Sequence, residues 1–487
     1  MDAQGRIIGS GVEEHQPFAS PRPGWAEQDP RDWWRACGLA VGRALKAAGI
    51  RGDAISCVGF SGQMHGAVML DEAGEVVRPA LIWCDQRTEK QSRELDRLFG
   101  PGRLIELTLN PPLTNFTLTK LLWVRENEPE NWKRVRHIML PKDYVRFRLT
   151  GERAIDVADA SGTLLLDVAN RKWSAEVLSK TGIAQSMLPT LYESPDVCGK
   201  ISAAGAAATG LPAGIPTVAG AGDQAAGAVG MGIVCPGAVS ATIGTSGVVF
   251  AATDRPALDP RGRIHTFCHA VPGRWHVMGV TQSAGLSLRW FRDRFGAGAP
   301  GVQDDGRDPY QRLSEEAATV PAGSDGAFWV PYLMGERTPH LDPNARAALV
   351  GLTASHTRAH VIRAILEGVA YSLKDTFSIF GELHVPVECV RLGGGGARGD
   401  LWRQIQADVY GHEVELVEAE EGAAYGAAIL AGVGAGTWRS VDEACDAVVR
   451  VAHRVRPDAK TSALMQKSYE TYCRIYPALR EIFPAAH

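Results

Sequence analysis

The stretch GIPTVAGAGDQAAGAVGMG, residues 214–232, contains a single charged residue, Asp223. The apolar run IPTVAGAG reads as a short strand that ends in glycine, and DQAAGAVG then predicts a helix with Asp223 as its N-cap. From Ile201 to Thr253 no other Asp, Glu, Lys or Arg occurs, although charged residues form 22% of the chain. A bare carboxylate is costly to bury, so Asp223 must face water, accept hydrogen bonds or meet a ligand.

Helix capping accounts for an aspartate at this position, but it does not account for the glycines around it. Gly222, Gly227, Gly230 and Gly232 would each weaken a helix interior by about 1 kcal/mol. Such residues are useful where the backbone must approach another backbone or a ligand closely. Turns at strand ends are also where α/β proteins carry catalytic groups, so Asp223 is a candidate catalytic residue.

Composition limits the classes of function. The 487 residues are 45% hydrophobic with a formal net charge of −4, and the pI is near 6.4, which predicts no binding of nucleic acid or anionic membrane. The nine cysteines include no CxxC pair, which is typical of the reducing cytoplasm. Prolines interrupt the long uncharged window, and the first residues lack a basic and apolar signal. We therefore expect a soluble cytoplasmic protein.

The chain alternates predicted helices and strands, as α/β proteins do. Asp29-Pro30 and the apolar spacing that follows predict a helix that ends at Gly49, and AISCVGF, GAVML and EVVRPALIW predict strands. DEAGEVV at 71–77 predicts a turn between two of them, and DAQGRII at 2–8 has nearly the same pattern. The strand before this second turn is missing. We therefore expect that the chain lacks about one strand and its loop; a frayed end is the alternative.

Two further glycine-rich loops follow. SATIGTSGVVF, residues 240–250, predicts a hairpin whose tip could bind phosphate oxygens or could be an ordinary turn. CVRLGGGGARGDLWRQIQAD, residues 389–408, predicts a strand, four glycines and a helix, which lets the main chain lie against a base or a phosphate. Its Gly394, Gly396 and Gly399 also satisfy GxGxxG, with Glu418 downstream. Too little chain follows for a dinucleotide-binding domain, which argues against an oxidoreductase.

Histidines occur in two patterns. His265, His269 and His276 lie in a predicted β-hairpin, where we expect solvent-facing or hydrogen-bonded rings rather than a metal site. Met64 and His65 come where one strand turns into the next, so they could line a cleft or pack in the core.

Several motifs follow one another in the order found in a known family. They are GQMHG, LIWCDQR, LPKDYVRFRLTG, AGAGDQAAGAVG, FCHAVPGRWHVM and PYLMGERTPH. With AALVGLTASHTRAHVIRAILEG at 347–368, they resemble the FGGY carbohydrate kinases over essentially the full length. NFTLTKLLWVREN at 115–127 resembles another family signature more loosely, because it begins with Asn115.

The resemblance implies an α/β fold of two actin-like ATPase domains, each built on a ribonuclease-H-like sheet, with a cleft between them. Residues 1–233 would form the N-terminal sugar-binding domain, apparently without its first strand and phosphate loop. Residues 234–487 would form the C-terminal nucleotide-binding domain.

The resemblance also implies the chemistry: ATP, with Mg²⁺, phosphorylates a ketopentose, with D-xylulose the expected substrate. Asp223 matches the catalytic base, Met64 and His65 match sugar contacts, and Trp83 is expected to border the sugar pocket. The nucleotide-side matches are Thr245, Gly285, Gly394, Gly395 and Gly399. No metal ligand is assigned, and a homodimer stays open as the state of assembly.

The family's N-terminal phosphate loop, with its metal-binding aspartate, has no match in this chain. Two functions of different class therefore remain. One is an active sugar kinase, and the other is a catalytically impaired relative that binds sugar or nucleotide without turnover.

Overall fold

The computed structural model describes residues 1–296, 307–419 and 422–483. The described helices, in chain order, are α1 Pro30–Ala48, α2 Glu89–Phe99, α3 Arg103–Thr108, α4 Thr117–Asn127, α5 Pro129–Arg134, α6 Pro141–Thr150, α7 Val157–Ser161, α8 Ala175–Thr181, α9 Ala203–Thr209, α10 Asp223–Gly230, α11 Ala284–Phe291, α12 Pro309–Ala318, α13 Arg358–Glu382, α14 Asp400–Tyr410, α15 Gly422–Gly434, α16 Val441–Val448, α17 Ala459–Tyr472 and α18 Ile475–Leu479.

The described strands are β1 Glu27–Gln28, β2 Ser61–Gly62, β3 Val68–Leu70, β4 Ala80–Leu81, β5 His137–Met139, β6 Ala154–Asp156, β7 Leu166–Asp167, β8 Lys172–Trp173, β9 Thr190–Tyr192, β10 Val197–Lys200, β11 Pro216–Val218, β12 Ala221–Gly222, β13 Gly237–Ile243, β14 Gly247–Thr253, β15 His265–Cys268, β16 Trp275–Thr281, β17 Phe328–Val330, β18 Ala348–Val350, β19 Val387–Gly394, β20 Val414–Val417 and β21 Val451–Val455.

The second half of the chain is built on one seven-stranded mixed sheet with the order β15-β16-β14-β13-β19-β20-β21. The central pairs β13–β19 and β19–β20 are parallel, and the remaining pairs are antiparallel; of these, β13–β14 and β15–β16 are hairpins. Helices connect the parallel strands, as chain geometry requires. Along β13 the side chains alternate: Val239, Ala241 and Ile243 belong to one buried cluster and Ala238 to another, so both faces of the sheet are covered.

The first half contains several short pairings. β2 pairs in parallel with β12, β3 pairs antiparallel with β5, and β6 pairs in parallel with β9. Bridges at Val58–Thr217 and Ala67–Leu81 extend these contacts. Because β12 leads directly into α10, this pairing positions the first residue of α10 at the end of the paired strands.

The predicted helix at Asp29 is confirmed, and its boundaries follow from local chemistry. The Asp29 carboxylate accepts a hydrogen bond from the Arg31 N–H, Pro30 occupies the first turn, and Gly49 ends the helix with φ 65°.

Two of the predicted strands of the first half are confirmed in shorter form, as β3 within GAVML and β4 within EVVRPALIW. The predicted strand AISCVGF is wrong, because only Val58 in it has a pairing partner, through an isolated bridge to Thr217. The turn at Asp71 is confirmed by a hydrogen bond from the Asp71 N–H to the Glu75 carbonyl. The Asp2 N–H donates to the Arg6 carbonyl in the same way. Residues 7–8 after that second turn are not in a strand.

Among the described residues, no helix combines the length and the apolar character that crossing a bilayer requires.

Candidate functional site

The turn between β13 and β14 lies against the start of α11. The Gly285 N–H donates to the Gly244 carbonyl at 2.9 Å, and the Leu286 N–H donates to the Thr245 carbonyl at 3.1 Å. A Cβ placed on Gly285 would lie 2.3 Å from the Gly244 carbonyl oxygen, closer than real side chains come. The predicted hairpin tip is therefore confirmed, and only glycine fits where the helix meets it.

The four-glycine loop lies on the same end of β13. Gly394 has φ 73°, and a Cβ there would lie 2.5 Å from the Ile243 carbonyl oxygen. A Cβ on Gly396 would lie 2.6 Å from the Ile243 Cβ. The loop continues through a single 3₁₀ turn, Gly395–Ala397, into α14. The segments that carry Thr245, Gly285 and Gly395 thus converge at one end of two adjacent strands.

A cavity of about 700 Å³ opens at this convergence. Its walls include four of the residues predicted to bind the nucleotide: Thr245, Gly285, Gly395 and Gly399. The fifth, Gly394, lines an adjoining cavity of about 500 Å³. The two cavities share Gly395 and Arg398 in their walls.

Asp223 lines the 500 Å³ cavity. The prediction that it is an N-cap is wrong: Gly222 is the N-cap, and Asp223 is the first residue of α10. Its carboxyl group is half-buried, and desolvation raises its pKa from 3.8 to about 6, which hydrogen bonds from Gln224 partly oppose. The carboxylate therefore borders a cavity, and its pKa is close to the range in which a general base works.

The glycines around Asp223 allow two helices to meet. A Cβ on Gly230 would lie 2.1 Å from the Gly422 carbonyl oxygen, and a Cβ on Gly426 would lie 1.8 Å from the Ala226 carbonyl oxygen. Helices α10 and α15 are thus in backbone contact. Gly227 differs, because its nearest neighbour would be 4.0 Å away and it lines the cavity with Asp223.

Met64 packs behind Asp223: a Cβ on Gly222 would lie 2.8 Å from the Met64 Cγ. His65 follows with φ 66°, and its Nδ1–H donates to the Gly162 carbonyl at 2.8 Å. Burial, and then the charge of Lys120, lowers the pKa of His65 to about 3, so the ring is neutral. Both side chains are buried, at 5% and 7% exposure, and neither lines the cavity that contains Asp223.

Trp83 lies in the turn after β4 and is 49% exposed. It is not among the residues that line the Asp223 cavity. The predicted nucleotide residues and Asp223 thus line two adjoining cavities. Met64 packs behind Asp223, and Trp83 lies outside the lining of both cavities.

A buried charge cluster lies behind the same strand end. Lys142 Nζ is 2.6 Å from Asp143 Oδ1, 2.5 Å from Asp156 Oδ2 and 3.4 Å from Asp159 Oδ2, and Arg146 also contacts Asp143, at 2.9 Å. Three carboxyl groups thus share two cations. Burial raises the pKa of Asp159 well above its usual range, and the charge of Lys142 opposes that rise.

The histidine hairpin is confirmed as β15 and β16, which pair antiparallel. His265 contacts the Asn110 Oδ1 at 3.0 Å, and His269 contacts the Ile233 carbonyl at 2.9 Å. His276 stacks on Phe250 at 4.2 Å. The three rings are buried rather than solvent-facing, because the hairpin packs between the two halves.

The sequence prediction missed three arginines of the cavities: Arg289, Arg398 and Arg403, the last of which lines the smaller cavity. Arg398 lines both cavities and Arg289 lines the larger one, and both side chains are exposed. The position of Arg398 directly after the glycine run was an available signal. Arg289 follows Gly285 by one helical turn, which places both on one face of α11.

Within the described ranges, no group of three or more His, Cys, Asp or Glu side chains is arranged to hold a metal ion.

The chain matches the N-terminal domain model of the FGGY family of carbohydrate kinases over residues 1–230 and the C-terminal domain model over residues 239–435. A xylulose kinase of Bacillus subtilis is 37% identical over 471 residues, which cover 97% of this chain and 92% of that protein. A gluconokinase of the same species is 32% identical over 435 residues, which cover 89% and 84%.

The solved structure of xylulose kinase from Rhodospirillum rubrum has a TM-score of 0.87 to this chain at 30% identity, and the match covers 97% of this chain and 94% of that one. The expected α/β fold of two actin-like domains is confirmed. The chain belongs to the FGGY family of carbohydrate kinases, enzymes that use ATP to phosphorylate sugars.

Proposed function

We propose that this sugar kinase phosphorylates a ketopentose, D-xylulose, at its terminal hydroxyl, with Asp223 as the general base. One observation carries the proposal: the cavity that Asp223 lines shares Gly395 and Arg398 with the cavity that Thr245 and Gly285 line. A sugar bound at Asp223 and a nucleotide bound at Thr245 would therefore meet at a common wall.

The role of Asp223 follows from the chemistry of the acceptor. A sugar hydroxyl is a poor nucleophile, so Asp223 accepts its proton while the hydroxyl oxygen bonds to the γ-phosphorus. The bond from that phosphorus to the bridging oxygen breaks, and ADP leaves with its electron pair. A positioned base of this kind contributes about 100-fold to 10,000-fold.

In the proposed mechanism, each of the two family domains binds one of the two substrates. Residues 1–233 would hold the sugar and residues 234–487 would hold ATP. Asp223 lines the cavity, and Met64, His65 and Trp83, which do not line it, are proposed as further sugar contacts from the family match alone. The Thr245 turn and Gly285 would face the phosphates, and Gly394, Gly395 and Gly399 would face the adenosine. Since Mg²⁺ is commonly bound through substrate phosphates, we propose that it enters with ATP. Closure of the cleft would exclude water from the transfer.

Two relatives define the substrate test, because one is a xylulose kinase and the other a gluconokinase. ADP release is measured with D-xylulose, D-ribulose and D-gluconate at equal concentrations, with Mg²⁺ present. The proposal expects the highest kcat/KM for D-xylulose. A higher value for D-gluconate would assign the chain to that other specificity. Sugar binding without ADP release from any of the three would favour the catalytically impaired relative.

The substitution Asp223→Asn tests the base. The amide keeps the size of the side chain but accepts a proton poorly, so turnover should fall by at least about 100-fold. The affinity for sugar, measured by calorimetry, should stay within a few fold. Wild-type turnover in this variant would remove the proposed role of Asp223.

A further inference from the structure

The boundary between the two cavities carries a cation that the family match leaves unassigned. Gly395 and Arg398 line both cavities, and Gly395 has no side chain to offer. The Arg398 side chain is exposed at this boundary. The flanking glycines are proposed to face the adenosine, but the long side chain of Arg398 could reach from this loop to a phosphoryl group that passes between the two cavities.

The backbone around Arg398 is fixed while its side chain is free. Arg403 donates to the Arg398 carbonyl at 3.0 Å, to Asp400 Oδ1 at 2.8 Å and to the Ala397 carbonyl. The Arg398 N–H donates to the Gly395 carbonyl at 3.2 Å. Across the described part of the chain, the Arg398 guanidinium makes no hydrogen bond or ion pair, so it is available to an anion.

The larger cavity contains three acidic side chains as well, of which Asp308 accepts the Tyr310 N–H at 2.8 Å. Asp400 pairs with Arg403, and Glu315 accepts from Arg307 and Gln311. Arg289, like Arg398, has no hydrogen bond or ion pair within the described ranges. The guanidinium groups of Arg289 and Arg398 could thus bind a polyphosphate at two different places, in a cavity that also contains the Asp308 carboxylate.

We propose that Arg398 is a further catalytic residue, whose guanidinium contacts the γ-phosphoryl group as it moves between the cavities; this rests on the proposed function. As the sugar oxygen bonds to phosphorus and the bridging oxygen departs, negative charge spreads over the phosphoryl oxygens and the leaving oxygen. A guanidinium presents two parallel N–H donors to such oxygens. Arg289 borders only the nucleotide cavity, so it would contact ATP equally before and during transfer.

The experiment compares Arg398→Gln with Arg289→Gln in the full chain. A contact made chiefly in the transition state lowers kcat, whereas a contact made equally in the ground state raises KM. We expect Arg398→Gln to lower kcat by about 100-fold, with the KM for ATP and the affinity for ADP within about threefold. Arg289→Gln should raise the KM for ATP with kcat nearly unchanged.

A conservative variant separates catalysis from loop structure. Arg398→Lys keeps the charge but loses the paired donors, so it should recover part of kcat. A tenfold or greater rise in the KM for ATP with unchanged kcat in Arg398→Gln would overturn the proposal, as would unchanged values of both. A lower Tm with equal loss in Arg398→Lys and Arg398→Gln would also overturn it, because it would assign Arg398 to loop stability. Activity retained in Asp223→Asn would instead contradict the proposed function itself.

Discussion

The N–H of Gly285 donates to the carbonyl of Gly244, and these two glycines join the start of α11 to the turn between β13 and β14. A methyl group at 285 would lie 2.3 Å from that carbonyl oxygen. The turn must then move away from the cavity, so Gly285→Ala should weaken ADP binding by about tenfold or more. Calorimetric titration with ADP measures this. Gly381→Ala is the matched control, because a Cβ at 381 in α13 meets nothing within 4 Å. Equal ADP affinity in both variants would contradict the prediction.

We expect the ionised Asp223 carboxylate to lower the stability of the folded protein at the pH at which a general base acts. Desolvation raises its pKa from 3.8 to about 6, so the folded state holds the proton more tightly than the unfolded state. Stability therefore falls as pH rises from about 4 to about 6 and stays lower above that range. The shift corresponds to roughly 3 kcal/mol at most.

The neutral Asp223→Asn should therefore be more stable than the wild type at about pH 8, and the gain should vanish below about pH 4. Urea unfolding at several pH values measures this. Asp446→Asn, at an exposed position on α16, is the control and should show no gain. A constant difference at every pH would show that packing rather than charge is responsible.

The same pKa predicts the pH dependence of turnover. A general base must be deprotonated, so kcat/KM should rise through about pH 6 and level off above it. Initial rates at saturating ATP with a pH-independent coupling system measure the profile. A profile that falls across this range would contradict the assignment of Asp223 as the base.

Because α10 contacts α15, alanine substitution should destabilise the protein far more at one glycine of this region than at another. A Cβ on Gly426 would lie 1.8 Å from the Ala226 carbonyl oxygen, whereas one on Gly227 has no neighbour closer than 4.0 Å. Gly426→Ala should lower the free energy of unfolding by more than about 2 kcal/mol, because backbone must move. Gly227→Ala should leave stability unchanged or raise it by up to about 1 kcal/mol. Chemical denaturation of both variants tests the contrast, which equal values would refute.

In the buried charge cluster, we expect substitution of Lys142 to lower stability much more than substitution of Asp159. Lys142→Met leaves buried carboxyl groups without their main cation, so unfolding should become easier by about 3 kcal/mol or more. Asp159→Asn should change stability by less than about 1 kcal/mol. Burial already raises the pKa of Asp159 well above its usual range, and its oxygens accept no hydrogen bond within the described residues. Similar losses in both variants would show that Asp159 is ionised.

Helix ends and tight turns could be predicted from the sequence, because the residues that determine them are neighbours in the chain. Asp29, Pro30 and Gly49 each act within one helical turn, so the bounds of α1 follow from the sequence. The turns between β13 and β14 and after β19 are predictable for the same reason, because glycines mark them. The family motifs then supply the domain order and the fold.

Features that depend on tertiary partners could not be read in this way. The strand Ala54–Phe60 is expected from its residue types, but only pairing decides which residues become strand. Lys142, Asp156 and Asp159 come from different elements, so nothing in their spacing indicates that they share charge. Asp400 pairs with Arg403 rather than with Arg398, which only the folded loop shows. The sequence predicts Asp223 as the N-cap of α10, whereas Gly222 is the N-cap and Asp223 is the first residue of the helix.

The backbone contact between α10 and α15 also bears on how the two halves of the enzyme can move relative to each other. Helix α10 lies in the part matched by the N-terminal family domain and α15 in the part matched by the C-terminal one. A Cβ on Gly59 would meet the Ala427 carbonyl oxygen at 2.0 Å, so α15 is held against the first half at a second point. Backbones this close resist sliding past one another, so we expect any closure of the cleft to be a rotation about this contact. Asp223, at the start of α10, would then stay near the rotation axis while the outer walls of the cleft move.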